Sequence, residues 1–324
     1  MIDNLAADGG GKSRGKPSGV RVGLLGRLGV SRRWQRNLTA YWMILPALLL
    51  YVVFKVYPIG QGLWISLHRW DGLSDMEWLG LRNYQFVFRD KVFWLALKHT
   101  FVFAFAVTII KNALGLFLAV LLNRKMRGRT FFRAAAFMPV TMAFVVIGVL
   151  WSWIYNPTFG LLNNILKSLG LESLIMGWLS DPKIALWSIV TVDVWKWTGF
   201  HMVLFLAGLQ NIPLELYEAA TIDGASRVQS FLKITLPLLA QVTAVSVLMS
   251  LMGAFVSNYD VVYVMTGGGP YHSTEVAMTW IVQTGFRFSA LGKASAMSFI
   301  VFAFIFVVGV IQLATMTRNK KYEM

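Results

Sequence analysis

ASAMSFIVFAFIFVVGVIQLATM, Ala294–Met316, runs for 23 residues without a charged side chain. A membrane-spanning helix needs about 20 mostly apolar residues. Five other segments meet the same test. They are Leu38–Tyr57, ending in VVFKVYP; Thr100–Asn123, with Lys111 inside it; Ala134–Tyr155; Ile184–Leu206; and Leu236–Ser257. Buried helices of a large soluble protein are the competing account, and uncharged runs of this length argue against it.

Composition points the same way. Of 324 residues, 56% are hydrophobic and 14% charged, with a mean hydropathy of +0.60. A soluble chain of this length needs more charge to cover its surface. There is no Cys, which excludes disulfides, thiolate chemistry and Cys-based metal sites. The His residues, at 68, 99, 201 and 272, show no ligand spacing.

The net charge of +15 suggests either nucleic acid or membrane topology, and its distribution decides. Lys12, Lys16, Arg14, Arg21, Arg27, Arg32, Arg33 and Arg36 precede the first span. NRKMRGRTFFR follows the second, with five basic residues and no acid, and TRNKKYEM ends the chain. All three segments fall on one side if six spans alternate. That side is expected to be cytoplasmic, with both termini inside, and nucleic acid is not needed to explain the charge. Residues 58–99, 156–183 and 258–293 are then outer loops, and 124–133 and 207–235 inner ones. The 37 residues before the first apolar run read as a basic, flexible cytoplasmic tail without a cleavable-signal pattern. Residues 38–316 form the membrane domain, and 317–324 a short cytoplasmic end.

Within the tail, AADGGGKS, Ala6–Ser13, fits the loose pattern of a nucleotide-binding loop. Such a loop works by joining a buried strand to a helix whose N-terminal N–H groups meet phosphate. No strand precedes Ala6, and Pro17 and Gly19 follow soon after Ser13. ATP binding at this segment is not expected. Residues 20–38 read either as a surface helix on the anionic inner leaflet or as a disordered segment.

The third inner loop reads IPLELYEAATIDGASRVQSFLKITLPLLAQ, Ile212–Gln241. Pro213 suits a first helical turn, and Glu215 and Glu218 favour the early-turn dipole. Gly224 interrupts as a bend or C-cap. Val228, Phe231, Leu232 and Ile234 then make a second short helix before Pro237. On physics alone, this is an interfacial connector or a surface for another backbone.

EAATIDGASRVQSFLKITLP resembles the EAA loop of permease subunits of binding-protein-dependent ABC importers. The matching positions are Glu218, Ala219, Ala220, Asp223, Gly224, Ala225, Phe231, Ile234, Leu236 and Pro237. The resemblance extends over most of the chain from about residue 38. AGLQNIP, MTGGGPYHSTE, FGLLNNIL and WLGLRNYQFV are similar to the carbohydrate branch, of maltose and glycerol-phosphate type. It implies an all-α membrane protein of six transmembrane helices with the type I ABC importer permease architecture. It also implies a division of labour. The EAA loop seats in a separate cytoplasmic ATPase, where Glu218 meets a basic residue and Gly224 allows the bend. No cofactor is expected on this chain, since ATP and Mg belong to the partner ATPase. The implied partners are two ATPase subunits, a homologous second permease forming a heterodimer, an extracytoplasmic solute-binding protein and membrane lipid. The implied place is the bacterial inner membrane.

Ionisable groups inside spans default to function. Lys111 lies in mid-span; ligand contact, snorkelling and packing on a partner subunit are all open for it. Asp193 and Lys196, three apart, suit pairing with each other on one helix face, either as internal compensation or toward a solute. Trp195, Trp197, Asn258, Tyr259 and Asp260 suit a sugar, through ring stacking and amide hydrogen bonds. Interfacial belts account for many Trp as well. Gly267, Gly268, Gly269 and Pro270 read as a tight outer turn and, through the resemblance, as a docking element for the binding protein. A stand-alone carrier or channel is the rival reading, and would show an inverted repeat with matched broken helices. An intramembrane enzyme would need a nucleophile–base or metal set, and none stands out.

Overall fold

The computed structural model describes the backbone of residues 32–319 apart from Lys125. The side chains of 32–40, Ser257, Leu313 and 315–319 are outside that description. The AADGGGKS segment, most of the basic tail and residues 320–324 also lie outside the described residues. The chain divides between Gln61 and Gly62 into two units.

The first helical run, α1, comprises Arg32–Tyr51, a π-helical turn Val52–Val56 and Tyr57–Ser66. The sequence places its end at Tyr57, yet Pro58 does not stop it. Proline lacks an N–H and crowds the carbonyl four residues back. The π turn widens the helix just before that point, with the Tyr57 N–H donating to the Val52 carbonyl.

From Gly62 onward, the segment expected to be the first outer loop holds a two-stranded antiparallel ribbon, β1 (His68–Arg69) with β2 (Glu77–Trp78), and α2 (Arg82–Arg89). Next come α3 (Lys91–Asn123), α4 (Arg129–Phe137, extended by a 3-10 turn Met138–Thr141), α5 (Phe144–Ile154) and α6 (Leu161–Ser168). They are followed by α7 (Ala185–Gln210), α8 (Leu214–Ile222) and α9, formed by Arg227–Ser230, a π turn Phe231–Thr235 and Leu236–Leu238. The chain finishes with α10 (Ala240–Met265), α11 (Ala277–Val282 with a π turn Gln283–Arg287) and α12 (Leu291–Asn319).

Among the described residues, four helices are long and apolar enough to cross a membrane, and up to six do if each of two bent pairs is one span. The second expected span begins earlier than Thr100. Asp90 caps α3 by accepting hydrogen bonds from the Val92 and Phe93 N–H groups. Two expected straight spans are bent. Arg129–Thr141 and Phe144–Ile154 meet at 103°, and Arg227–Leu238 and Ala240–Val256 at 66°. Pro139 and Pro237 sit just before these breaks, where an N–H is missing. The last expected outer loop, 258–293, is a loop only in part. α10 continues through Asn258 and Asp260 to Met265, because Val261, Val262 and Met265 pack into the core.

The bundle is organised around α7, which packs against α3 along much of its length and against α10. One apolar cluster joins Phe103, Val107, Ile147, Ile189, Phe255 and Val262. A second, at the other end, joins Ala119, Leu122, Met202, Phe205, Leu209 and Leu239. His201 Nδ1 and Ser246 Oγ lie 2.7 Å apart, linking α7 to α10 inside the core.

Candidate functional site

The loop expected on the inner side forms two short helices whose junction is fixed by the backbone. Gly224 has φ +77°, a left-handed conformation that strains side chains. The Gly224 N–H donates to the Thr221 carbonyl and the Ala225 N–H to the Ala220 carbonyl. These two bonds make a Schellman cap on α8, satisfying carbonyls that the helix end would leave free. Asp223 occupies the C-cap, its N–H on the Ala219 carbonyl. Two residues on, Ser226 and Gln229 form a reciprocal capping box that starts α9. Tyr217 Oη and Thr235 Oγ1, 2.8 Å apart, tie the two helices together.

Glu218 and Ala219 are exposed, whereas Ala220, Ala225, Phe231 and Ile234 are half-buried against the loop, and Pro237 is exposed. The outer face of the loop is apolar as well as acidic. Ile222 is 86% exposed, Leu214 and Val228 each 66%, and Leu232 54%. These side chains make an exposed apolar patch on a capped element. Behind it, a pocket is lined by Asn123 and Arg124 at the end of α3 and by Tyr217, Arg227 and Phe231 of the loop.

Inside the bundle the charges are arranged differently from the local spacing. Asp193 does not pair with Lys196. It pairs with Lys111 of α3, Nζ to Oδ1 at 2.8 Å, with both side chains 3% exposed. Lys196 turns instead to the break in the third span. Its Nζ donates to the carbonyls of Pro139 (3.4 Å), Val140 (3.2 Å) and Met142 (2.5 Å). The correction has a simple cause. An ion pair within one helix gains little, while a carboxylate and an ammonium buried on facing helices need each other.

Trp195 is partly exposed and edge-on to Trp151, with ring centres 5.5 Å apart; Trp197 packs against Phe144 and Phe200. Asn258 is fully buried, and neither amide atom has a hydrogen-bond partner among the described residues. Tyr259 stacks on Tyr263, and Asp260 is exposed.

The glycine turn Thr266–Pro270 wraps a carboxylate that sequence reasoning missed. Gly267 and Gly268 have φ of +59° and +92°, the Gly269–Pro270 bond is cis, and Tyr271 and His272 have φ of +52° and +60°. Glu275 is 1% exposed. Its carboxylate accepts hydrogen bonds from Thr279 Oγ1 (2.5 Å) and Gln283 Nε2 (3.3 Å), and lies 2.9 Å from His272 Nδ1. A Cβ on Gly268 would collide with this carboxylate, so the second glycine is where the turn closes over Glu275. Tyr271, 92% exposed, stands at the tip. The clue available in the sequence was a lone acid at the end of MTGGGPYHSTE. Among the described residues, no group of three or more His, Asp or Glu is placed to hold a metal ion.

Comparison with known proteins supplies a frame for this geometry. Residues 111–320 match the family described as "Binding-protein-dependent transport system inner membrane component". The chain is 38% identical over 266 residues to the "Trehalose/maltose transport system permease protein MalF" of Thermococcus litoralis, across 82% of this chain and 89% of the relative. In fold it is similar to a solved "bacterial ABC transporter involved in the import of the acidic polysaccharide alginate". The TM-score is 0.78 at 23% identity, over 90% of this chain and 99% of the other. A second structure, of the "bacterial alginate ABC transporter in complex with alginate pentasaccharide-bound periplasmic protein", gives a TM-score of 0.77 at 22% identity. It covers 89% of this chain and 96% of the other.

Proposed function

Because the chain belongs to the family of binding-protein-dependent transport system inner membrane components, we propose that it is the sugar-translocating permease subunit of an ATP-driven ABC importer. The observation that carries this reading is the inner loop. It is capped at Gly224 and Ser226, holds Glu218 at the surface and displays Ile222, Leu214 and Val228 for a partner to cover. In our reading this loop seats in a separate ATPase, whose basic residue meets Glu218. ATP and Mg are bound there and not on this chain.

The chain crosses the inner membrane six times, each bent pair counting as one span, with both termini in the cytoplasm. The distribution of Lys and Arg supports that orientation. A homologous permease completes a heterodimer, and two ATPase copies drive it. Their closure on ATP moves the inner loops and opens the spans outward. Hydrolysis resets them, giving alternating access.

On the outer side, the turn around Glu275 presents Tyr271 to a solute-binding protein. The relative named for trehalose and maltose supports a sugar or a related polar solute. Asn258, buried with an unsatisfied amide, and Tyr259 are the side chains we assign to the solute path, because an unpaired amide in a bundle calls for a hydroxyl partner.

The test is co-purification with the neighbouring gene products, wild type against Glu218→Ala with Gly224→Asp. Loss of bound ATPase and of solute-stimulated hydrolysis, with the membrane subunit still folded, is expected. An ATPase that never accompanies the wild type, together with uptake driven by an ion gradient alone, would replace the importer with a carrier.

A further inference from the structure

Breaking a helix inside a bundle frees backbone carbonyls, and each must find a donor. At the break between α4 and α5, the carbonyls of Val140 and Met142 converge on one point with that of Pro139, which also accepts the Met142 N–H. The faces of Phe144 and Trp197 close the same point, with ring centres 4.8 and 5.1 Å from Lys196 Nζ. Carbonyl oxygens and aromatic faces are what a small cation seeks. The donor count also matches, since a primary ammonium has three N–H bonds and three carbonyls accept them. Lys196 is 3% exposed and reaches the site from α7. The neighbouring contact holds the helices close. A Cβ on Gly199 would collide with the Ala136 carbonyl, so α7 lies directly on the last turn of α4.

We propose that the break in the third span is a binding site for a small primary-ammonium cation, and that the Lys196 ammonium is its tethered occupant. Lys196 is thus a positioning residue. It holds the bend open at 103° without an external ion. Shortening the side chain leaves the site in place and lets a free ligand of the same chemistry take it. This inference stands apart from the importer reading, because the site is formed wholly by this chain.

The experiment is a thermal unfolding titration of the full chain in detergent. It compares wild type, Lys196→Ala and Lys196→Met, with methylammonium, potassium and tetramethylammonium chloride as probes. The alanine variant should melt below wild type, and methylammonium should raise its midpoint by about 3 °C at saturating concentration. Tetramethylammonium, without N–H donors, should leave it unmoved, and wild type should respond to none of the three. Lys196→Met fills the channel but donates nothing, so it should stay destabilised and unrescued.

A methionine variant as stable as wild type would overturn the proposal. So would an alanine variant that fails to fold with or without methylammonium, or one rescued equally by all three salts. Rescue by potassium as well as by methylammonium would also overturn it, because potassium has no N–H bonds to offer the three carbonyls. A shift seen in the isolated chain holds even if no ATPase ever co-purifies.

Discussion

The Lys111–Asp193 pair can be dismantled one side at a time. A unit-charge pair at 2.8 Å attracts by about 6 kcal/mol at an effective dielectric constant of about 20. Desolvating both ions cancels much of that, so the intact pair adds little net stability over an apolar one. Removing one member is another matter, because the survivor is only 3% exposed and loses its direct partner. Asp193→Leu and Lys111→Met should each cost about 3–5 kcal/mol, while the double variant should recover to within about 1 kcal/mol of wild type. The assay is reversible unfolding in mixed micelles, read as a double-mutant cycle. Single variants that cost less than about 1 kcal/mol, or a double variant that costs the sum of the singles, would refute the reasoning.

At Gly224, the left-handed conformation rather than space is limiting, since nothing lies within 4 Å of an added Cβ. Gly224→Val should therefore destabilise the loop by about 1–2 kcal/mol and abolish ATPase stimulation, whereas Gly224→Asn should keep most of it. At Gly199, even alanine drives a methyl group into the Ala136 carbonyl. We expect Gly199→Ala to cost about 3 kcal/mol in an unfolding titration, against less than about 0.5 kcal/mol for an exposed control site. Burial pushes the Asp90 carboxyl up, but hydrogen bonds from Lys293, the Phe93 N–H and Trp280, with the Lys293 charge, leave it below its ordinary value. Its contribution is thus complete above the unfolded carboxylate range near about 4 and fades as pH falls through the lower folded value. Stability measured from pH 6 to pH 3 should drop less steeply in Asp90→Ala than in wild type.

The apolar runs made a bundle of membrane-length helices legible, because their lengths answer to bilayer thickness, but not the two bends that interrupt them. The two-helix inner loop was legible too, since Pro213, Gly224 and Ser226 act on neighbouring backbone. What escaped was action at a distance. Asp193 and Lys196 look like partners along one helix, but Lys111 is 82 positions away from Asp193 and the Met142 carbonyl 54 from Lys196. The fifth span was expected to end at Ser257, although packing by Val261, Val262 and Met265 carries the helix on through Asn258 and Asp260. Glu275 was passed over because an acid in a loop is ordinarily solvated, and here glycine geometry folds the turn over it.

The pairing of α3 with α7 bears on how the protein enters its membrane. α7 is less apolar than α3 or α12, and most of it is buried inside the bundle. Such a segment, with Asp193 and Lys196 near its middle, partitions poorly into lipid by itself. α3 is synthesised first and carries Lys111, the ion that Asp193 needs. During biogenesis the later helix should wait beside the insertion machinery until it can leave together with the earlier one. Deleting α3 would then strand α7 on the wrong side of the bilayer, a failure of delivery rather than of final packing.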